Sequence, residues 1–269
     1  MLSPDAAPGQ RAVTSPSPAL VADRITMRFG GLTAVARVSL EVARDQVTAI
    51  IGPNGAGKTT TFNMISGLLT PTSGRVSFHG TDITGWAPHR IAALGLARTF
   101  QNVQLFPNLN TVENVMACRY CRTRATVIDA VLGLPRDRAE RRRTREIAEE
   151  LLGWVGIADK RFLMPSELPY GDQRRLEIAR ALATEPQLIM LDEPSAGMVP
   201  GEVRTLMALI GKLRERGLTI LLIEHNMSVV MAISDWIVVL NFGEKIAEGP
   251  PGLVRNNADV IEAYLGAEA

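Results

Sequence analysis

A glycine-rich loop that ends in lysine and threonine carries the groups that bind phosphate. Residues 52–59 read Gly-Pro-Asn-Gly-Ala-Gly-Lys-Thr and match the pattern G-x-x-x-x-G-K-[ST]. The glycines let the backbone curve into a ring of N–H donors, and the helix that follows points its positive end at the same anion. Lys58 would reach the β- and γ-phosphates of a nucleotide, and the Thr59 hydroxyl would ligate Mg²⁺. A turn without a ligand is the alternative, which the flanking strand and helix patterns disfavour.

Two carboxylates further along the chain suit the same chemistry. Leu188–Leu191 is typical of a buried strand, and Asp192 and Glu193 follow it directly. Asp192 would hold Mg²⁺ through water, and Glu193 would polarise the attacking water as a general base. Alone, this pattern is equally typical of a strand before a solvated turn, but the phosphate loop favours the catalytic interpretation.

A histidine follows another apolar segment, Thr219–Ile223, close to the expected end of that strand. Ligands of open α/β sheets bind at the carboxyl ends of strands. A neutral His225 imidazole would contact the γ-phosphate there. A half-buried histidine that caps the next helix is the alternative.

The segments that must position these residues alternate between strand and helix patterns. Strands are predicted at Val21–Phe29, Val38–Val42, Val47–Ile51, Arg75–His79, Leu188–Leu191 and Thr219–Ile223, and a hairpin at Trp236–Phe242 and Lys245–Glu248. Helices are predicted at Lys58–Leu69 and Val203–Arg216. This alternation predicts an α/β fold with a mostly parallel sheet. From about residue 102 to residue 170 charged helical patterns replace strand patterns, which predicts a helical subdomain.

Composition excludes several classes of protein. The 269 residues carry 29 Lys and Arg against 28 Asp and Glu, and a net charge of +1 gives no electrostatic case for nucleic acid. Two cysteines cannot form a disulfide scaffold and suggest a reducing compartment. No apolar run approaches the ~18 residues of a membrane span, and the N-terminus lacks a signal peptide's apolar stretch. We expect a cytoplasmic protein whose residues 1–19, rich in Pro, Ser and Ala, form a disordered tail.

These motifs recur in the same order in the ATP-binding-cassette (ABC) ATPases, which the chain resembles from about residue 20 to its C-terminus. The segment Leu168–Gln173, followed by Arg174–Arg180, resembles the ABC signature and its helix. Gln101 resembles the Q-loop glutamine that senses Mg²⁺ and the γ-phosphate. His225 resembles the switch histidine, and Phe29 the aromatic residue that stacks on adenine.

The resemblance implies a P-loop NTPase fold over residues 20–269, with a RecA-like core, an N-terminal antiparallel β subdomain and the inserted helical subdomain at about 102–175. It implies ATP and Mg²⁺ as cofactors, with each ATP on one subunit's phosphate loop beneath the partner's signature. Glu193, His225 and Gln101 would be catalytic. Thr59, Gln101 and Asp192 would be metal ligands. The expected nucleotide contacts are Phe29, Gly52, Pro53, Asn54, Gly55, Ala56, Gly57, Lys58, Thr59, Thr60, Pro169, Tyr170, Gly171, Asp172 and Gln173.

Several segments are similar, more narrowly, to the ATPase subunits of branched-chain amino-acid importers. They are Ala97–Gln101, Leu105–Pro107, Val112–Val115, Arg174–Ile178, Ile223–Met227 and Val260–Gly266. This resemblance implies transmembrane permease subunits and a second ATPase subunit, identical or different, as partners, and indirectly a periplasmic or extracellular substrate-binding protein. The chain would lie on the inner face of the cell membrane, with a groove beside Gln101 that receives a permease helix. Importers of urea, amides or other amino acids share parts of these patterns and stay as alternatives.

The chain departs from the common family pattern at two places. Where the usual signature reads Leu-Ser-Gly-Gly-Gln, Pro169 and Tyr170 replace Ser and the first Gly, and Asp172 replaces Gln. Pro169 offers a phosphate neither a hydroxyl nor an N–H, and the Asp172 carboxylate would repel phosphate unless it caps the helix. In the D-loop (residues 195–200), Val199 stands where many relatives carry aspartate, which favours an asymmetric dimer with a different ATPase.

The remaining patterns have ordinary interpretations. Cys118 and Cys121 form a single C-x-x-C pair without the further ligands of a zinc site, so we interpret them as two thiols on a helix. The arginine-rich run from Arg136 to Arg145 indicates a solvated helix face rather than a nucleic-acid patch. Two alternatives of another class stay open: a soluble ABC ATPase that acts on DNA or ribosomes, and a regulatory nucleotide-binding module with weak hydrolysis.

Overall fold

A computed structural model describes residues 17–122 and 135–265 of the chain. Residues 1–16 of the predicted tail lie outside these ranges. Ala19, the last residue of that predicted tail, is buried beside the first strand. Its backbone N–H donates to the Val42 carbonyl at 2.8 Å, so sheet pairing begins at this residue.

The regular elements follow the chain in this order. The strands are β1 Leu20–Phe29, β2 Leu32–Val42, β3 Val47–Ile51, β4 Ser73–Phe78, β5 Thr81–Asp82, β6 Leu96–Arg98, β7 Leu188–Asp192, β8 Thr219–Ile223, β9 Trp236–Asn241 and β10 Glu244–Gly249. The helices are α1 Lys58–Ile65, α2 Pro88–Ala93, α3 Thr111–Arg119, α4 Pro135–Trp154, α5 Tyr170–Leu182, α6 Pro200–Glu215, α7 Met227–Ile233, α8 Pro251–Arg255 and α9 Ala258–Leu265. Short 3-10 turns lie at Tyr120–Arg122, Ala158–Lys160 and Pro165–Glu167.

Two sheets carry the fold. The first has the order β2-β1-β4-β5 and is antiparallel. The second has the order β10-β9-β3-β8-β7-β6, and its neighbouring strands run parallel except for the β9–β10 hairpin. Strands β3, β7 and β8 are buried along their whole length, which explains why their sequences are apolar without alternation. The prediction of an α/β fold with a mostly parallel sheet is confirmed.

Apolar side chains pack on both faces of the second sheet. One cluster fills the space between the two sheets and α1, with Ile25, Phe62 and Leu221 among its members. The other lies under the helices of the opposite face, with Leu152 and Leu206 among its members. Because both faces are covered, the carboxyl ends of the central strands are held rigidly.

Most predicted boundaries differ from the structure by no more than three residues, and two differ by four or more. Helix α1 ends at Ile65 rather than Leu69, because Gly67 adopts a left-handed conformation (φ 76°) and its N–H closes on the Met64 carbonyl at 3.3 Å. Strand β2 begins at Leu32 rather than at residue 38, because it pairs with β1 directly across the turn.

Between β6 and β7, the regular elements of the described residues are helical. Leu152 of α4 and Val155, directly after its last residue, are buried against the other helices, whereas arginines 138, 141, 142, 143 and 145 on the outer face of α4 are exposed. Their exposure agrees with the predicted solvated face. None of the helices in the described ranges is both long enough and apolar enough to cross a membrane.

Candidate nucleotide-binding site

The phosphate loop joins the end of β3 to α1, and its shape depends on glycine. Gly52 and Gly57 have φ angles of 148° and 92°. A Cβ on Gly52 would lie 2.0 Å from the Leu240 carbonyl oxygen, and one on Gly57 would lie 2.7 Å from that of Ala34. No side chain fits at either position, because both distances are far below van der Waals contact. The neighbouring strands thereby fix the curvature of the loop.

Lys58 closes the loop on itself. Its buried ammonium group donates to the carbonyls of Gly52 at 2.7 Å and Pro53 at 2.8 Å. Burial lowers the pKa of Lys58, and the nearby charges of Asp192 and Glu193 oppose that shift. These carbonyls hold the ammonium group against the loop that would receive phosphate. Thr59 is exposed at the start of α1.

Asp192 ends β7 as a buried carboxylate with one bound and one unbound oxygen. Its Oδ2 accepts a 2.9 Å hydrogen bond from Nη2 of Arg98. The other terminal nitrogen of Arg98, Nη1, donates to Asn63 and Ser66 on the α1 side. Burial raises the pKa of Asp192, and the Arg98 guanidinium opposes that shift. Its Oδ1 is buried and has no hydrogen-bond partner among the residues that the structure describes. A buried oxygen without a partner fits a ligand such as a metal ion or its bound water.

Glu193 contacts both other residues predicted to be catalytic. Its Oε2 accepts a 3.1 Å hydrogen bond from Nε2 of Gln101, and its Oε1 lies 2.8 Å from Nε2 of His225. Its backbone is in the left-handed region (φ 48°), which costs about 1–3 kcal/mol for a non-glycine residue. This backbone conformation places the carboxylate between its two partners.

A buried glutamate that is not among the predicted site residues connects the loops after β7 and β8. Glu224, 2% exposed, accepts hydrogen bonds from the backbone N–H of Ser195 at 2.8 Å and of His225 at 3.1 Å. Asn226 then caps α7 by accepting from the N–H groups of Ser228 and Val229. His225 itself does not cap the helix, and its side chain is partly exposed toward Glu193. The only sequence signal for Glu224 was its place beside His225.

The altered signature packs on the D-loop of its own subunit. Tyr170 opens α5, and a Cβ on Gly197 would lie 3.2 Å from its ring. Gly171 faces Glu202 of α6 so closely that a Cβ would lie 2.4 Å from the Glu202 carboxylate. Pro169, at the N-cap position, makes no side-chain cap. Tyr170 therefore fills space beside the D-loop that a glycine would leave open.

Asp172 does not cap α5. Its buried carboxylate pairs with Lys160 on one side and Arg175 on the other. The side chain therefore joins the signature helix to the segment before it, and two cations balance the charge that would have repelled phosphate. The amide of Gln173 donates to the Leu168 carbonyl at 2.9 Å. Within the described ranges, no hydrogen bond or ion pair joins Pro169–Gln173 to the phosphate loop.

Two predicted features lie apart from this cluster. Phe29 ends β1 opposite Leu32, with 48% of its surface exposed. Cys118, in α3, accepts a 3.3 Å hydrogen bond from Arg180, and Cys121 lies exposed in the 3-10 turn that follows. Both cysteines are free, in agreement with their interpretation as ordinary thiols.

The phosphate loop, the carboxylate pair and the histidine together define an ATP-binding P-loop ATPase domain. The ABC transporter family matches residues 35–196, and the family described as branched-chain amino acid ATP-binding cassette transporter matches residues 244–269. The chain belongs to the ABC transporter family and binds ATP.

Two curated relatives are similar over almost their whole length. The chain is 46% identical over 250 residues to the high-affinity branched-chain amino acid transport ATP-binding protein BraF of Pseudomonas aeruginosa, covering 93% of this chain and 98% of BraF. It is 43% identical over 250 residues to LivG of Escherichia coli K12, which carries the same description, with the same coverage of both chains.

Solved structures match equally widely. An ATP-binding cassette of an ABC transporter in its ADP conformation superposes with a TM-score of 0.82 at 31% identity, covering 93% of this chain and all of that one. A dimeric cassette in a post-hydrolysis state, bound to ADP and Pi, superposes with a TM-score of 0.74 at 25% identity, covering 86% of this chain and 98% of that one.

Proposed function

We propose that the chain is the ATP-hydrolysing subunit that powers an importer of branched-chain amino acids. The observation that carries hydrolysis is the contact of Glu193 with both Gln101 and His225. The printed descriptions of BraF and LivG, together with the match at residues 244–269, support branched-chain amino acids as the cargo. The cargo would be selected by other subunits, because an ATPase of this kind does not touch it.

Mg²⁺ fits the residues present. Thr59 would supply a hydroxyl, Gln101 an amide oxygen, and Asp192 its unbound Oδ1 through water. The bound ion would neutralise charge on the β- and γ-phosphates and order them for attack.

Other residues of this chain would bind the nucleotide and assist its hydrolysis. The ring of backbone N–H groups and Lys58 would bind the β- and γ-phosphates, with the ammonium group exchanging its loop carbonyls for phosphate oxygens. Glu193 would accept a proton from water in line with the γ-phosphate, and His225 would donate to that phosphate. Phe29 would stack on adenine with its exposed face. The signature residues Pro169–Gln173 would cover the ATP of a second subunit.

The partners would be transmembrane permeases and a second ATPase, at the inner face of the cell membrane. A groove beside Gln101 includes the exposed side chains of Leu68 and Phe100, which suit a permease helix. ATP binding would favour the closed dimer and hydrolysis the open one, and the groove would carry this population shift to the permeases. Val199 is 61% exposed, so it is available to contact a partner subunit.

Affinity purification from detergent-solubilised membranes of the host tests this proposal. The tagged chain, followed by mass spectrometry, should recover two permeases. A second, different ATPase would establish the heterodimer, and its absence the homodimer. Recovery of ribosomal or DNA-bound proteins without any permease would overturn the transport function.

A further inference from the structure

We infer that Arg174 couples the two ATP sites of the dimer by tying the signature helix α5 to the Q-loop (residues 99–106) of the same subunit. The inference rests on the proposed function, in which these two segments serve different ATP molecules. The Q-loop would contact the ATP that is bound to the phosphate loop of its own subunit. The signature would cover the ATP of the partner subunit.

The contacts of Arg174 reach both segments. Its Nη1 donates to the Phe100 carbonyl at 2.9 Å, and its Nη2 donates to the Gln101 carbonyl. Its Nε donates to the Tyr170 hydroxyl at 3.1 Å. The side chain is only 4% exposed. A planar guanidinium with several fixed donors can hold two Q-loop carbonyls and a signature hydroxyl at once, which a lysine ammonium group cannot do with the same geometry.

The same helix holds the Q-loop at the next two turns. The buried carboxylate of Glu177 accepts from Nη1 of Arg174 at 3.1 Å and from the Gln104 N–H at 3.1 Å. Arg180 donates to the Gln104 carbonyl and lies 4.7 Å from the centre of the Phe106 ring. These three residues follow one face of α5 at intervals of three. Displacement of the Q-loop therefore requires either movement of α5 or loss of buried hydrogen bonds.

The path between the sites is continuous. The side chain of Gln101 contacts Glu193, and its carbonyl contacts Arg174. Arg174 contacts Tyr170, whose ring packs beside Gly197 of the D-loop. Movement of Gln101 toward its own nucleotide would thus shift the N-terminus of α5, which faces the other nucleotide. Arg174 is a positioning residue, because it would touch neither ATP.

Two variants of the full chain, assembled with its permeases, separate coupling from folding. The double variant Arg174→Met with Glu177→Gln removes the cation without leaving a buried carboxylate unpaired. The single variant Glu177→Gln keeps the Arg174 bonds to Phe100 and Gln101, and its amide oxygen can still accept from the Gln104 N–H. Because every tie between α5 and the Q-loop is kept, it serves as the matched control. Affinity for a fluorescent ATP analogue is measured on the isolated chain, at protein concentrations too low for dimers. ATP turnover against ATP concentration is measured on the assembled complex.

The double variant should bind the analogue with an affinity within about twofold of the native chain, while turnover falls about tenfold because Gln101 is misplaced. The Hill coefficient should fall from nearly 2, its limit for two sites, toward 1. The control should keep both native values. A native Hill coefficient of 1, a double variant with native cooperativity, or a loss of analogue affinity as large as the loss of turnover would overturn the inference. Absence of turnover in the native complex would instead contradict the proposed function.

Discussion

The side-chain amide of Gln101 donates a 3.1 Å hydrogen bond to the carboxylate of Glu193, although 92 positions separate them in the chain. The opposite oxygen of that carboxylate lies 2.8 Å from His225. The three residues follow β6, β7 and β8, which are neighbours in the parallel sheet. Parallel strands end at one edge, so three distant loops meet there.

Replacement of Glu193 by glutamine should separate binding from hydrolysis. The amide keeps the size of the side chain and its contact with Gln101 but cannot accept the proton of water. We expect native ATP affinity and a loss of turnover of about 10²–10⁴-fold, the usual contribution of a general base. Single-turnover assays on the purified complex measure this directly. Turnover close to native would remove Glu193 as the base.

Phe29 should contribute to binding of the base and not of the phosphates. Because the ring is exposed, Phe29→Ala should leave thermal stability nearly unchanged. Loss of a stacked ring costs about 1–3 kcal/mol, so ATP affinity should fall about 5- to 150-fold. Calorimetry with ATP and with inorganic tripolyphosphate checks the assignment, and Phe29→Tyr is the conservative control. Equal losses of affinity for ATP and for tripolyphosphate would show that Phe29 does not contact adenine.

Breaking the ion pair between Arg98 and Asp192 should lower the free energy of unfolding substantially. Both side chains are buried, with exposures of 8% and 2%. Arg98→Ala would leave the carboxylate uncompensated, which typically costs about 3–5 kcal/mol of unfolding free energy. Arg142→Ala is the matched control, because its ion pair with Glu146 is exposed and should contribute less than about 1 kcal/mol. Urea denaturation measures the loss of unfolding free energy in each variant. Similar losses in the two variants would contradict a special role of the buried pair in stability.

Glu177 should make stability depend on pH in a defined direction. Burial raises the pKa of Glu177 in the folded chain above its ordinary value of 4.5, although Arg174 and the Gln104 N–H oppose the shift. Between the two pKa values the folded state binds more protons than the unfolded state, so this glutamate lowers the unfolding free energy as pH rises through that window. The Glu177→Gln variant has no carboxyl group at this position, so its unfolding free energy does not fall for this reason as pH rises. The difference in unfolding free energy, variant minus native, should therefore increase from pH 4.5 upward and then level off, and a flat or decreasing difference would contradict it.

Much of the fold and of the hydrolytic cluster was predictable because each piece is local in sequence. The phosphate loop, the apolar strand before Asp192 and the histidine after β8 are short patterns whose residue types follow from their chemistry. The rule that ligands bind where parallel strands end then places them together. The nucleotide and metal contacts assigned to individual residues stay predictions that the experiments above address.

Long-range pairs were not predictable. Nothing near Arg98 in the sequence indicates that it pairs with Asp192 94 residues later, or that Arg174 holds the Q-loop carbonyls. The sequence predicts that Asp172 repels phosphate or caps α5, because its partner Lys160 lies outside any motif. Such pairs depend on tertiary packing, for which a single sequence has no periodic signal.

The most direct test of the whole account is ATP-driven uptake of radiolabelled leucine into vesicles that hold the chain, its permeases and the substrate-binding protein. We expect leucine to accumulate with ATP inside the vesicles, isoleucine and valine to compete, and no accumulation when Glu193→Gln replaces the native chain. Undiminished uptake with Glu193→Gln would contradict the role of this chain as the motor. ATP turnover that urea or another amide stimulates, without leucine uptake, would contradict the cargo.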